Sequence, residues 1–298
     1  MSRVRITHTT SYRYSQPVKF GLHRLVVRPR EGHDVQVEDL RLRIQPHCQV
    51  SWHRDLFNNS IAVANFSESS DYLEFCNEVV IFRRDHTSHH GLLDLLPVTF
   101  PVKYSPLETA VVRGYVKPVY PAESSVVQEW LATIVPKFKG RDAVRTMVEI
   151  GQWIHQNIKY RRREDRGVQS PAQTLELKSG SCRDLATLLL EAVRAQKLAA
   201  RFASGYLHTL SSEAGRASTH AWTEVYFPEH GWFGFDPTVG EMTSEKHIVT
   251  GVSAHPRGVM PISGTFTGER ELYLGMEVAV KIESLKDLAE SQAHRFPI

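Results

Sequence analysis

The sequence predicts an α+β protein in which an N-terminal antiparallel β-sandwich precedes a domain of helices packed on an antiparallel sheet. Its 298 residues are enough for two domains of ordinary size. Short alternating apolar runs between turn signals occupy residues 1–100, which favours a sandwich. Helical patterns precede strand patterns in the second half, which favours an α+β domain. We therefore predict domains over residues 1–118 and 119–298.

The strands of the first half are predicted from the alternation of apolar and polar residues. Four stretches carry this pattern: "VRITHTTSYRY", "EDLRLRIQP", "CQVSWHRDLFNNSIAVANF" and "YLEFCNEVVIF". Alternation puts the apolar side chains on one face of a strand, as a sheet with one buried face requires. The third stretch has turn residues at 55–60, so it predicts two short strands.

The middle of the chain has five prolines over residues 92–121 and little periodicity. Proline interrupts helix interiors, so we predict a linker between the domains. Two helices are predicted after it, in "AESSVVQEWLATIV" and "RDAVRTMVEIGQWIHQNIKY", from their caps and their three- and four-residue apolar spacing. After a third helix, "AARFASGYL", "THAWTEVYF" and "WFGFDPT" predict strands.

The composition argues against several classes of partner. A net charge of +3 over this length does not indicate nucleic acid or an acidic membrane as partner. No run approaches the roughly 20 apolar residues of a membrane helix, and the first residues lack the apolar core of a signal peptide. Three cysteines are too few for a disulfide framework. We expect a cytoplasmic protein, whose oligomeric state the sequence leaves open.

The third helix begins around Cys182, in "SGSCRDLATLLLEAVR". Ser181 is predicted as the N-cap and Asp184 as the third helical residue of a capping box. Cys182 is then the first helical residue, where unpaired N–H groups stabilise a thiolate and can hold an oxyanion. Gly180 and Ser181 are candidate cleft residues, because a glycine here lets a substrate approach closely. A lone cysteine at a helix start is nonetheless more often a small, inert hydrophobe.

A nucleophilic cysteine needs a base, and the base needs a group that orients it. His220 in "THAWTEVYF" and Asp236 in "WFGFDPT" lie on two predicted strands joined by a turn. If residues 228–230 form a three-residue loop, Asp236 becomes the diagonal neighbour of His220 on one face of the hairpin. An even loop would put the two side chains on opposite faces. A Cys–His–Asp site therefore predicts an odd loop or a β-bulge.

Four motifs in this region resemble the core of the bacterial transglutaminase-like superfamily. The motifs G-x-C-x-D, R-x-x-x-G-Y, H-A-W-x-E-V and G-W-x-x-x-D-P-T are carried by Gly180, Cys182, Asp184, Arg201, Gly205, Tyr206, His220, Ala221, Trp222, Glu224, Val225, Gly231, Trp232, Asp236, Pro237 and Thr238. Four motifs in this order form a specific signal. Near the N-terminus, "YRYSQPV" is similar to the element that opens the β-rich domain preceding this core in many members.

The resemblance implies a papain-like fold and a transglutaminase-like acyltransferase, cysteine protease or amidase that needs no cofactor. Cys182 would attack a carboxamide of a peptide or protein, His220 would activate the thiol and protonate the leaving amine, and Asp236 would orient the imidazole. Water or an amine would resolve the thioester. Trp222 is either a core aromatic or a wall of the cleft.

Two points remain open after the resemblance. A non-catalytic module that keeps the fold to bind a protein or peptide is the alternative function. Relatives commonly carry G-R-D-Y-x-D-V-x-P after "HI", whereas this chain has "HIVTGVSAHPRGVMPISG", so its specificity is expected to differ if that segment shapes the cleft.

Other polar clusters favour ordinary surface loops. His86, His89 and His90 do not match a familiar zinc spacing, and no acidic run has a calcium-loop spacing, so we predict no metal site. The basic run "YRRREDRG" is typical of a solvated loop; the alternative is that it lines the cleft and favours acidic substrates.

Overall fold

The computed structural model describes residues 2–84, 98–163, 167–215 and 217–285. The helices in these ranges are α1 (Pro106–Val116), α2 (Ser124–Ile134), α3 (Ala143–Asn157), α4 (Pro171–Leu177), α5 (Cys182–Ala195) and α6 (Leu210–Glu213). The strands are β1 (Ser2–Phe20), β2 (His23–Leu25), β3 (Val35–Gln45), β4 (Cys48–Arg54), β5 (Ser60–Phe66), β6 (Ser69–Arg83), β7 (Lys159–Tyr160), β8 (Ser179–Gly180), β9 (Ala200–Leu207), β10 (His220–Phe227), β11 (Gly231–Asp236), β12 (Glu241–Met242), β13 (His247–Ser253), β14 (Ile262–Ser263), β15 (Phe266–Thr267) and β16 (Tyr273–Leu285). Of the helices in the described ranges, none has the length and apolar character needed to cross a membrane.

Two antiparallel sheets are built mainly from the first 83 residues. One has the order β15-β1-β6-β3, with β16 also paired to β1, and the other has the order β14-β2-β5-β4. Tyr14, Phe20 and Phe75 of the first sheet share one buried apolar cluster with Leu25 and Ala62 of the second. The mixture of helices with antiparallel sheets confirms the α+β prediction, while the sandwich arrangement stays a prediction.

The last described strands return to these two sheets. Ile282 of β16 lies opposite Ile6 of β1, and the short strands β15 and β14 pair with β1 and β2. The sequence-based division near residue 118 assigns β14, β15 and β16 to the C-terminal domain. It does not predict that they pair with strands of the N-terminal half. Pairing between segments so distant in the chain has no local sequence signal. As a domain boundary, residue 118 stays a prediction.

A third sheet, with the order β12-β11-β10-β9-β13, carries helix α5. The helix is buried on nearly every side, and its buried residues include the charged Asp184, Glu191 and Arg194 beside the apolar ones. Its leucines share a core with Met147 of α3 and Val225 of β10. Two buried polar side chains anchor its C-terminal half: the Glu191 carboxylate accepts the Val119 N–H, and Arg194 donates to the Lys117 carbonyl. The helix that begins at Cys182 is therefore held firmly.

Residues 106–116 form helix α1, where the sequence analysis predicts a linker. The Glu108 N–H donates to Ser105 Oγ, and the Ser105 N–H donates to the Glu108 carboxylate, which completes a capping box. Pro106 occupies the first turn, where the missing N–H costs no intrahelical hydrogen bond. The linker prediction is wrong for these residues, because proline disrupts a helix interior but not a helix start.

Candidate active site

Cys182 is the first residue of helix α5, as the sequence predicts, and Ser181 is its extended N-cap. The thiol-bearing residue is 7% exposed and borders a cavity. The N–H groups of the first helical turn have no carbonyl four residues earlier to bond. The Asp184 N–H instead bonds the Ser181 carbonyl at 2.9 Å, and the positive end of the helix dipole lies at Cys182.

Asp184 holds the start of this helix in place. Its fully buried carboxylate accepts the N–H and the hydroxyl of Ser181, both at 2.8 Å, and the N–H of Gln169 at 2.7 Å. Arg163 Nη1 donates to both carboxylate oxygens, at 2.8 and 2.9 Å. Sequence reasoning found the cap but missed Arg163, because a partner 21 residues away lies outside any capping pattern.

Gly180 packs against the helix start instead of opening the cleft. An added Cβ there would lie 2.8 Å from Asp184 Cβ and 3.1 Å from Gln169 Oε1, both closer than ordinary van der Waals contact. Gly180 is also buried and lies outside the described lining of the cavity. The expectation that it admits substrate is therefore corrected: the glycine allows β8 to approach α5.

The hairpin of β10 and β11 has the odd loop that a Cys–His–Asp site requires. Phe227 lies opposite Gly231, so residues 228–230 form a three-residue connection, and the pairing continues to Thr223 opposite Phe235. His220 and Asp236 then project from one face, and His220 Nε2 lies 2.7 Å from Asp236 Oδ2. The register prediction is confirmed.

His220 joins the carboxylate to the thiol. Its ring hydrogen-bonds Asp236 on one side and Cys182 on the other. Because Nε2 is bonded to Asp236, Nδ1 is the nitrogen available to the sulfur. Burial lowers the pKa of His220, but the hydrogen bonds to Asp236 and Cys182 and the negative charges of these groups outweigh it and raise the pKa to about 10. The structure thus brings the three predicted residues together in one hydrogen-bonded chain.

Asp236 also bonds a second histidine that the sequence analysis does not identify. His247 Nε2 lies 3.1 Å from Asp236 Oδ2, and the Thr238 N–H donates to Oδ1 at 2.8 Å. Burial raises the pKa of Asp236, but its hydrogen bonds to His220 and His247 hold that pKa well below the usual range. The only sequence signal for His247 is its place in "HI", next to the segment where this chain departs from its relatives.

Trp222 is buried among the site's histidines and does not wall the cavity. It is 1% exposed and lies outside the described cavity lining. Its ring packs edge-on against His247 at 5.2 Å and tilted against His220 at 6.2 Å between centroids. The core-aromatic interpretation is correct, and the tryptophan restricts the movement of both rings.

The cavity beside Cys182 has a volume of about 140 Å³. One wall comes from strands β1 and β16 of the first sheet, through His8, Thr10, Tyr12, Met276 and Val278. Burial lowers the pKa of His8 to about 4, so this wall contributes no positive charge at neutral pH. Sequence reasoning assigns the site to the C-terminal half alone and misses this wall.

Another part of the cavity lining, referred to below as the rim, is basic. Arg162, Arg163 and Arg183 line the cavity, and no aspartate or glutamate lies among its described lining residues. Asp184 balances the charge of Arg163. Part of the basic run thus borders the cleft, as the alternative interpretation supposed, while residues 164–166 lie outside the described ranges.

Other motif residues stabilise the sheet away from the sulfur. Arg201 and Glu224 are directly opposite on β9 and β10 and form an ion pair at 2.7 Å. The Arg201 guanidinium also lies 4.0 Å from the centre of the Trp232 ring. The motif that indicates the family therefore includes both the candidate reacting groups and a structural cross-strand cluster.

His220, Asp236 and His247 are also the residues that could hold a metal ion in the described part of the chain, with ligand atoms within 4.8 Å of one another. Both histidines bond the same carboxylate oxygen through Nε2, so an ion would have to replace both hydrogen bonds. His86, His89 and His90, considered above as metal ligands, lie outside the described residues.

The raised pKa of His220 predicts a stability that depends on pH. The folded pKa is about 10 and the ordinary value is 6.5, so the protonated ring contributes full stability below pH 6.5. This contribution decreases as the pH rises through 10. His220→Gln is expected to destabilise the protein more at pH 6 than at pH 10. The difference between the two pH values should be at least about 1 kcal/mol. Urea unfolding of both proteins measures it, and an equal loss at both pH values would contradict the pairing.

Two family models match the chain. Residues 4–81 match the bacterial transglutaminase-like N-terminal region, and residues 133–237 match the transglutaminase-like superfamily. The second match contains Cys182, His220 and Asp236.

Similar proteins span nearly the whole chain. An uncharacterized protein of Mycobacterium tuberculosis (strain ATCC 25618 / H37Rv) is 27% identical over 277 residues, covering 88% of this chain and 87% of that protein. One from Mycobacterium leprae (strain TN) is 21% identical over 286 residues, covering 94% and 99%. A crystal structure described as "a Putative Cysteine Protease from Cytophaga hutchinsonii" has a TM-score of 0.73 at 17% identity, covering 96% of this chain and 91% of that one. This last comparison shows similarity of fold alone.

Proposed function

Because the chain belongs to the transglutaminase-like superfamily, we propose that it is a thiol-dependent acyltransferase or hydrolase acting on peptide or glutamine carboxamides. The observation that carries the proposal is the hydrogen-bonded chain from Cys182 through His220 to Asp236 beside a cavity. A nucleophile, a base and an orienting carboxylate in this order are the requirements of covalent acyl transfer.

The chemistry proceeds in two steps. The Cys182 sulfur attacks the amide carbonyl, a C–S bond forms, and the oxyanion is held by the N–H groups at the start of α5. The C–N bond then breaks, and His220 gives its proton to the departing amine. In the second step His220 removes a proton from water or an amine, which attacks the thioester carbonyl. The C–S bond then breaks, and the departing Cys182 sulfur takes the proton back from His220. Asp236 keeps the imidazole oriented throughout.

The charge of the rim favours acidic segments beside the reacting amide. Arg162 and Arg183 border the cavity, and the described lining holds no carboxylate. Cationic side chains that converge on a cleft raise the local concentration of anionic substrates, and salt screens this attraction. We propose peptides with acidic residues next to a glutamine or a scissile bond as preferred substrates.

The test is a set of glutamine peptides flanked by acidic, neutral or basic residues, incubated with the protein with and without a primary amine. Ammonia release, amine incorporation and cleavage are followed by mass spectrometry. We expect the peptides with acidic flanks to give product fastest, and we expect this preference for acidic flanks to weaken at high salt. Absence of every product, together with stable binding of a peptide, would instead favour the non-catalytic binding module.

We also propose a reducing, cytoplasmic location. Cys48, Cys76 and Cys182 are all free thiols, which suits a compartment where disulfides do not persist. A free nucleophilic thiol is also what the proposed chemistry needs.

A further inference from the structure

We propose that His247 is a positioning residue, which holds the Asp236 carboxylate in hydrogen-bonding position for His220. The inference rests on the proposed function, because Asp236 matters to catalysis only if His220 and Cys182 react. It adds a fourth residue, from a third strand of the sheet, to the groups that set the geometry at the sulfur.

The Asp236 carboxylate is buried and fully bonded. Its side chain has no exposed surface, Oδ2 lies 2.7 Å from His220 Nε2 and 3.1 Å from His247 Nε2, and Oδ1 accepts the Thr238 N–H. With His220 as the single donor on Oδ2, only the Thr238 N–H on Oδ1 would help to hold the carboxylate. Two donors on the same oxygen, arriving from β10 and β13, fix its direction.

The hydrogen bonds of His247 define its tautomer. The Ser244 N–H donates to His247 Nδ1 at 3.1 Å, so Nδ1 carries no proton. Nε2 must then carry the ring proton and donate it to Asp236. His247 therefore acts as a hydrogen-bond donor to Asp236 while its other nitrogen is held by the Ser244 N–H.

The surroundings keep the His247 ring in this orientation. Its side chain is 6% exposed, and the Trp222 ring packs edge-on against it. The backbone of residues 244–247 forms a turn, in which the His247 N–H also donates to the Ser244 carbonyl. The donor is thus held before any substrate binds, as a positioning role requires.

Loss of this donor has a predictable consequence. Asp236 faces two titratable side chains, His220 on β10 and His247 on β13. Without His247, the buried carboxylate keeps one side-chain donor, so its charged form is less stabilised and protonates at a higher pH. The carboxylate can also turn away from His220, and a displacement of about 1 Å at a reacting group can cost on the order of 100-fold in rate.

The first test uses the unchanged protein and needs no substrate. Long-range proton–nitrogen NMR correlation of the ¹⁵N-labelled protein is expected to show His247 as the Nε2–H tautomer, as its bonds to Ser244 and Asp236 require. A His247 signal of the Nδ1–H tautomer, or of the doubly protonated ring, would overturn the proposal.

The second test compares His247→Gln, whose amide nitrogen can replace Nε2 as donor, with His247→Phe, which fills the space without a donor. Alkylation of Cys182 by iodoacetamide is followed by peptide mass spectrometry from pH 4 to pH 10. We expect His247→Phe to slow the reaction about 10- to 100-fold and to move its acid limb to higher pH. His247→Gln is expected to stay within about threefold of the unchanged protein.

Equal alkylation profiles for the two variants would overturn the positioning role, since a purely structural residue would not distinguish donor from non-donor. If His247→Phe does not fold, the NMR result and the His247→Gln profile still decide the matter. Absence of turnover on every peptide, with Cys182 alkylated normally in the unchanged protein, would count against the proposed function, whereas equal profiles of the two variants would count against the positioning role alone.

Discussion

Cys182→Ala is expected to lose all turnover, at least about a thousandfold, and all thiol labelling of the active site. Removing a member of a nucleophile–base–carboxylate set leaves only the small catalysis that binding and the oxyanion site supply. The protein is expected to stay folded, because alanine fits the first turn of α5 and leaves Ser181 and Asp184 unchanged.

The measurement combines product formation from the glutamine peptides with iodoacetamide labelling at pH 6. Only Cys182 hydrogen-bonds an imidazole that carries a proton at this pH, whereas burial raises the pKa of the Cys48 thiol. Cys48→Ala is the matched control and should keep both signals. Turnover that survives Cys182→Ala would remove the proposed nucleophile.

Asp184→Ala is expected to destabilise the protein by about 3–5 kcal/mol. The change leaves the Arg163 guanidinium without its buried partner and leaves the N–H groups of Ser181 and Gln169 without an acceptor. Since the same carboxylate fixes the start of α5, the variant is also expected to label more slowly at Cys182.

Asp142→Ala is the matched control. Asp142 also caps a helix, accepting the Arg145 N–H at 2.7 Å at the start of α3, but this contact is exposed. Loss of such a cap costs typically about 1 kcal/mol. Urea unfolding of the two variants measures the difference. Equal losses would mean that the buried ion pair with Arg163 contributes nothing beyond an ordinary cap.

The features predicted correctly are those whose partners lie close together in the chain. Ser181 and Asp184 are three residues apart, so a capping box could be recognised from their spacing alone. His220 and Asp236 lie on neighbouring strands, and the length of one turn decides whether they share a face. Both predictions depend on local hydrogen bonding and on the two-residue period of a strand.

The errors have equally specific causes. Helix α1 is not predicted, because its first residue, Pro106, is interpreted as part of a linker. The capping box of Ser105 and Glu108 is the sequence signal that distinguishes a proline at a helix start from one in a linker. Trp222 follows His220 by two residues and was therefore a candidate cleft wall. Its ring is instead buried against His220 and His247, a distinction that depends on what covers the sheet.

By itself, the sequence determined the α+β class, the helix that presents Cys182, and the hairpin that joins His220 to Asp236. Only the tertiary structure decided that Arg163 neutralises Asp184, that His247 shares the Asp236 oxygen, and that β1 and β16 wall the cavity. The physical reason is the range of the interactions. Caps, turns and alternation are satisfied within a few residues, whereas a buried carboxylate takes its donors from whichever strands the packing of the core brings beside it.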